Sequence, residues 1–237
     1  LSCGVIFFLV MLFPIGLMAA DNTAEADKLF RLGGLENYKQ AIALLEKELA
    51  ANPERCIKFL DKLTEFHMNN LNEYLERVGP YLDIIGFGDD LGMQTGSQIS
   101  PRMFDEMLKP RYKRMWSMVK EKMPHLKICL HSCGSIHNLL PSLIEAGMDS
   151  FNPVQISCRN MEPERLKNDF GDKVVFWGGG CDTSSMLSRG TPEQISEHVK
   201  YNVDIFSRNG GFVFQQVHNI LADVPPENIM AMFNSIG

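Results

Sequence analysis

Residues 126–155 read LKICLHSCGSIHNLLPSLIEAGMDSFNPVQ, and the order of patterns in this stretch decides the fold. LKICLH is a short apolar run of strand length. Ser135 to Ala146 continues with a helical pattern that Gly147 stops, despite Pro141, and DSFN opens a second short strand. A strand, a helix and a strand with no hairpin signal between them form a βαβ unit, which joins parallel strands. In an extended strand, side chains two apart share a face, so Cys129, His131 and Cys133 point together. Two readings are open: a site for a soft metal at a strand end, or a buried strand that contains sulfur. Cys129, one pleat deeper, reads as packing.

The same alternation continues on both sides. Pro53 to Val78 carries a helical apolar stripe that Gly79-Pro80 ends, and YLDIIGF (81–87) reads as a buried strand. Ser100-Pro101 supplies an N-cap and a first-turn proline for a helix to Met123, with a kink or break at Pro110. Downstream, Glu162-Pro163 opens a helix, VVFW (174–177) is a strand, and Thr191-Pro192-Glu193-Gln194 has the form of a capping box with proline at the first helical position. FVFQ (212–215) is the last strand, and Pro226 opens the last helix. Strand and helix units this regular predict an α/β fold of the (β/α)8 TIM barrel type. No strand leads into a GxGxxG or P-loop fingerprint, so an open doubly wound sheet is the weaker reading.

Five clear strands fall short of the eight a barrel needs. The expectation is therefore a C-terminal portion of a barrel whose first strands are missing, with residues 1–28 an apolar N-terminal segment and 29–237 the barrel domain. That segment opens with LSCGVIFFLVMLFPIGLMAADN and resembles a signal peptide in its apolar run and its Met18-Ala19-Ala20 end. It lacks a basic flank, and Pro14 and Gly16 interrupt it. Pro14 also argues against a membrane span. A strand and turn left from an earlier barrel unit is the reading preferred here.

The polar residues gather at the ends of the strands. Gly88-Asp89-Asp90 follows the first clear strand, His131-Ser132-Cys133-Gly134 the second, Asn152-Pro153-Val154-Gln155 the third, Gly178 to Thr183 the fourth and His218-Asn219 the fifth. In a parallel barrel the loops at that rim build the active site, so five separate segments converge on one mouth. Among the 237 residues, 45% are hydrophobic and the net charge is -6, which with no dense Lys/Arg cluster argues against a nucleic-acid or anionic-membrane surface. Small-molecule chemistry is the better expectation. The six cysteines show no small-domain disulfide spacing, which points to a reducing, cytoplasmic compartment.

Taken in order, FGDDLGMQTGSQISP, LHSCGSI, FNPVQ, FWGGGCDT and VHNILADVPPENIMAMF resemble the successive rim motifs of the uroporphyrinogen decarboxylase superfamily, from about Leu29 to the C-terminus. The resemblance implies a (β/α)8 barrel and one of two chemistries. One is zinc-dependent methyl transfer between a corrinoid protein and a thiol or pterin acceptor. The other is metal-free uroporphyrinogen decarboxylation in porphyrin and haem synthesis, and a non-catalytic tetrapyrrole- or corrinoid-binding relative is a third reading. For the methyltransferase it implies Zn²⁺ held by His131 and Cys133, with His218 as third ligand at the last strand and Cys181 as the alternative. Asp89, Asp90 and His218 are the implied catalytic residues, and Gln94, Asn152, Gln155 and Asp182 the implied substrate-binding ones. The decarboxylase reading asks instead for an arginine-rich N-terminal segment, which the sequence does not show.

Overall fold

The computed structural model describes Val5–Phe8 and residues 52–236. The expected domain boundary at residue 28 lies outside the described residues. Val5–Phe8 and residues 73–236 belong to one compact unit, and residues 52–72 to a second.

Among the described residues a six-stranded sheet runs in sequence order. Its strands are β1 (Val5–Phe8), β2 (Ile84–Gly88), β3 (Lys127–His131), β4 (Ser150–Asn152), β5 (Val175–Trp177) and β6 (Phe212–Val213). Every neighbouring pair is parallel. The helices are α1 (Pro53–Val78), α2 (Pro101–Met103), α3 (Lys109–Lys122), α4 (Leu140–Ala146), α5 (Pro163–Phe170), α6 (Met186–Arg189), α7 (Pro192–Ser207) and α8 (Pro226–Asn234). Parallel strands in sequential order with helical crossovers are the pattern of the (β/α)8 barrel, and the described residues supply six of its strands. The N-terminal apolar run contributes β1, paired from Val5 with Ile84 to Phe8 with Phe87.

The strand register separates core from site. Phe87, Leu130, Phe151, Phe176 and Phe212 lie on one row across β2 to β6. That row faces the helices. Phe87 meets Trp116 of α3 at 5.9 Å between ring centroids, and Phe176 meets Phe206 of α7 at 5.1 Å. Phe87, Leu130, Phe151 and Phe176 are fully buried, and each such side chain stabilises the fold by about 1.5–3 kcal/mol relative to exposure. One residue later every strand turns its side chain to the other face, and there stand Gly88, His131, Asn152, Trp177 and Val213. His131 and Asn152 thus stand on the row next to the aromatic one.

Local chemistry explains the element ends. Ser100 Oγ accepts from Met103 N at 3.2 Å and starts α2, but the helix to Lys122 is not uniform. Phe104–Leu108 is a π-helical turn placed just ahead of Pro110, and Lys109 N donates to Phe104 O across it. The wider turn accommodates a proline that has no N–H to give the α ladder. The Thr191 capping box is present, with Thr191 Oγ1 accepting from Gln194 N and Gln194 Oε1 accepting from Thr191 N.

Boundaries also differ from the sequence reading: β2 begins at Ile84 and not at Tyr81, because Gly79–Tyr81 is a 3₁₀ turn in which Leu82 N donates to Gly79 O. α4 begins at Leu140 and not at Ser135, because Ser135 N donates to Met93 O and Ser135 Oγ to Arg159 O. Pro141 therefore falls in the first turn of a helix, where it is tolerated. β6 ends at Val213, since Gln215 O is taken by Gly180 N and the chain bends to make the isolated Cys181–Gln216 bridge. The four-residue α6 carried no usable period.

Candidate metal centre at the strand ends

Two loops, those after β2 and β3, are zipped together. Asp89 N donates to His131 O at 2.9 Å, Leu91 N to Ser132 Oγ at 3.0 Å, and Ser135 N to Met93 O at 2.8 Å. Their backbones touch at two glycines. A Cβ on Gly134 would lie 2.3 Å from the carbonyl carbon of Gly92, and one on Gly92 would lie 2.6 Å from Cys133 O. Gly134 also has φ +86°, a conformation that favours glycine. This close approach carries Asp90 to Cys133, whose backbone N–H donates to Asp90 Oδ1 at 2.9 Å.

His131, Cys133 and Asp90 form a group whose ligand atoms all lie within 4.8 Å of one another. Cys133 Sγ and His131 Nε2 are 3.6 Å apart. In a tetrahedral site, Zn–S of about 2.3 Å and Zn–N of about 2.1 Å place sulfur and nitrogen about 3.6 Å apart. Imidazole, thiolate and carboxylate are also the ordinary protein ligands of zinc. The donor set and its spacing fit the ion. Burial, and after it the neighbouring Asp90 carboxylate, push the Cys133 thiol up to about 12. Without a cation the sulfur therefore keeps its proton at neutral pH, and binding a metal would release it.

The surrounding side chains hold this group in place. Asn152 Oδ1 lies 2.7 Å from His131 Nδ1, and Asn152 Nδ2 donates to Trp177 O at 2.9 Å and to Gln215 Oε1 at 3.0 Å. Gln155 Oε1 accepts from Gly134 N at 2.8 Å and so steadies the loop that carries Cys133. Gln94 is tied to the loop after β4, its Oε1 accepting from Cys158 Sγ at 3.1 Å and its backbone O from Arg159 N at 3.0 Å. At Gly178, with φ +124°, a Cβ would lie 2.0 Å from Pro153 O, so any other residue would force the backbone to shift. The Asn152-Pro153 peptide is cis, and the buried Val154 beside it has φ +58°, an unusual value for a β-branched residue.

Asp89 and Asp90 diverge. Asp89 is buried and its Oδ2 accepts from the Tyr112 hydroxyl of α3 at 2.5 Å, whereas Asp90 is exposed at the mouth. His218 lies exposed on the loop after β6 and is not a member of the three-residue group. Cys181 is fully buried, with Sγ 3.8 Å from Asp182 O. Cys129 is fully buried below the site, and burial pushes its thiol up to about 11. Asp182 accepts from the backbone N–H groups and hydroxyls of Ser184 and Ser185 and so begins α6. Its own N–H donates to His198 Nε2 at 3.1 Å.

Three contributors escaped sequence reading: Gln215, Tyr112 and His198. Gln215 carried a signal, since it stands just past a strand end. Tyr112 and His198 sit on helices and carried none.

Fold and site together define a parallel α/β barrel protein with a metal-competent His-Cys-Asp group at the strand ends. Residues 36–237 match the family described as uroporphyrinogen decarboxylase (URO-D), and the chain belongs to that family. It is 23% identical over 203 residues to a uroporphyrinogen decarboxylase of Chlorobaculum parvum, covering 84% of this chain and 52% of that protein. It is 26% identical over 208 residues to one of Chloroherpeton thalassium, covering 86% and 53%. The chain thus spans about half the length of these curated relatives. A solved methyltransferase from Methanosarcina mazei superposes with a TM-score of 0.60 at 18% identity, over 91% of this chain and 62% of that one, a likeness of fold. Among the described residues, no helix is long and apolar enough to cross a membrane.

Proposed function

We propose that this chain belongs to a zinc-dependent methyltransferase, which moves a methyl group between a corrinoid protein and a thiol or pterin acceptor. The observation that carries the reading is the Asp90–His131–Cys133 group, with sulfur and imidazole nitrogen at the spacing of zinc ligands. Bound Zn²⁺ supplies Lewis acidity, lowering the pKa of an acceptor thiol so that it reacts as thiolate at neutral pH. The residues of the chain do the rest. Cys133 gives up its proton when the site is filled, and His131 presents Nε2 to the ion. Asp90, held by Cys133 N through Oδ1, would offer its carboxylate to the ion. Its negative charge, beside that of the Cys133 thiolate, balances the divalent cation. With the site filled, the activated acceptor thiol would be the nucleophile that receives the methyl group, and the methylated corrinoid protein would be its donor.

Decarboxylation is the second reading, favoured by the names of the curated relatives. Metal content separates the two. The expected result is about one zinc per chain in purified protein, with the metal lost from Cys133→Ser. Protein that holds no zinc and takes none up from zinc sulfate overturns the proposal, and release of carbon dioxide from uroporphyrinogen by that protein establishes the other reading.

A further inference from the structure

The hydrogen bonds around Asn152 fix more than its position. Asn152 is buried at 6% exposure, with both amide protons and its oxygen engaged. Trp177 O is a backbone carbonyl and can only accept, so the atom 2.9 Å from it must be the Asn152 NH₂. Oδ1 is then the atom that faces His131 Nδ1 at 2.7 Å. An amide oxygen can only accept. Nδ1 must therefore carry a proton, which leaves the lone pair of a neutral imidazole on Nε2. Nε2 is the atom 3.6 Å from Cys133 Sγ.

From this geometry we infer that Asn152 is a positioning residue: it sets His131 in the Nδ1–H tautomer and aims Nε2 at the metal group before any ion arrives. The inference rests on the metal reading above only for its use, not for its existence. Gln215 is the partner that locks it. Its Oε1 accepts the second Asn152 amide proton at 3.0 Å, and its backbone O accepts from Gly180 N at 2.9 Å. A flipped Asn152 would set its oxygen against the Trp177 carbonyl, which cannot donate. The loop after β6 thus reaches the ligand from β3 through the end of β4. Asn152, assigned to substrate by resemblance, has both amide protons committed to Trp177 O and Gln215 Oε1, so only the second lone pair of Oδ1 is left to meet one.

Nitrogen-15 NMR of the metal-free protein with neutral imidazoles tests this, because protonated and unprotonated ring nitrogens resonate far apart. The parent should show His131 with Nδ1 protonated. Asn152→Leu should lose that signature and show Nε2–H or a mixture, while Asn152→Asp, which keeps an acceptor at the same place, should retain Nδ1–H. Zinc affinity should fall about 10–100-fold in Asn152→Leu, the size expected for an outer-shell partner, and recover in Asn152→Asp. An Nε2–H tautomer in the parent overturns the inference, and that measurement needs no variant to fold. An unchanged Nδ1–H signal in folded Asn152→Leu overturns it equally. Because the tautomer is read without metal, a parent that shows Nδ1–H but binds no zinc sinks the metal proposal and leaves the positioning role standing.

Discussion

Asp90 and His218 compete for the place of third zinc donor, and their surroundings argue for Asp90. Asp90 is anchored by Cys133 N at 2.9 Å within a group whose ligand atoms lie within 4.8 Å of one another, whereas His218, exposed like Asp90, lies on a different loop outside that group. Asp90→Asn keeps an acceptor for Cys133 N but removes the charge. It should weaken zinc by roughly 10-fold or more, at least the effect of losing an outer-shell partner, and His218→Ala should leave zinc content unchanged. Chelator competition measures both. The reverse pattern moves the third donor to the β6 loop. Asp89 answers to a different assay. Tyr112→Phe removes one donor from its buried carboxylate, which should cost about 1–3 kcal/mol in urea unfolding without changing metal content.

Glycines in the rim loops differ in what they can tolerate. Gly178→Ala places a Cβ 2.0 Å from Pro153 O at φ +124°, so the loop after β5 or the loop after β4 must move. The expected loss exceeds about 1 kcal/mol, with Asn152 displaced and zinc weakened alongside it. Gly96 has open space around its Cβ position and no positive φ, so Gly96→Ala should be neutral or stabilise by about 0.4–1 kcal/mol through the unfolded chain. Equal effects in the two variants would show that backbone contact between the β4 and β5 loops is not what shapes the rim. α7 depends on its cap in a separable way. Thr191→Ala should cost about 0.5–2 kcal/mol, seen in denaturant midpoints, and leave metal binding alone because the exposed cap bonds join only Thr191 and Gln194.

For the molecule as a whole, a site assembled from β2 and β3 exists only in the folded state, so zinc should stabilise folding by mass action. Free zinc at 100 times its dissociation constant adds about 2.7 kcal/mol, read as a rise in melting temperature that a chelator reverses. Cys133→Ser should show no such rise. Acid acts on the same equilibrium through Asp182. Burial alone would raise its pKa, but hydrogen bonds from Ser185 and Ser184 outweigh burial and hold it below the ordinary 3.8. Its contribution is fully present above pH 3.8 and is lost as pH falls through the lower folded-state value. Asp182→Asn should therefore lose stability less steeply than the parent below pH 3.8 in urea titrations at stepped pH. A parallel acid limb in both proteins would show that the Ser184 and Ser185 bonds do not discriminate the ionised form.

The chain's local patterns were enough for the parallel α/β architecture. Apolar strand runs, the Thr191 capping box and prolines in first turns are short-range signals, and a parallel sheet needs only their order. The row of polar strand ends was legible for the same reason: side-chain alternation along β2 to β5 places Gly88, His131 and Asn152 opposite the buried aromatics whatever the loops do. His131 and Cys133 could be paired from sequence because they stand two positions apart at one strand end. Asp90 could not be joined to them, since it lies 41 and 43 positions away, and the link is a backbone contact between Gly92 and Gly134 that no periodicity reports. The start of α4 at Leu140 and the early end of β6 have the same origin: hydrogen bonds from another loop outweigh local propensity, and those partners meet only when the strands are in register. The break at Pro110 was legible, because a missing N–H belongs to the residue itself, and the structure makes it a π-helical turn.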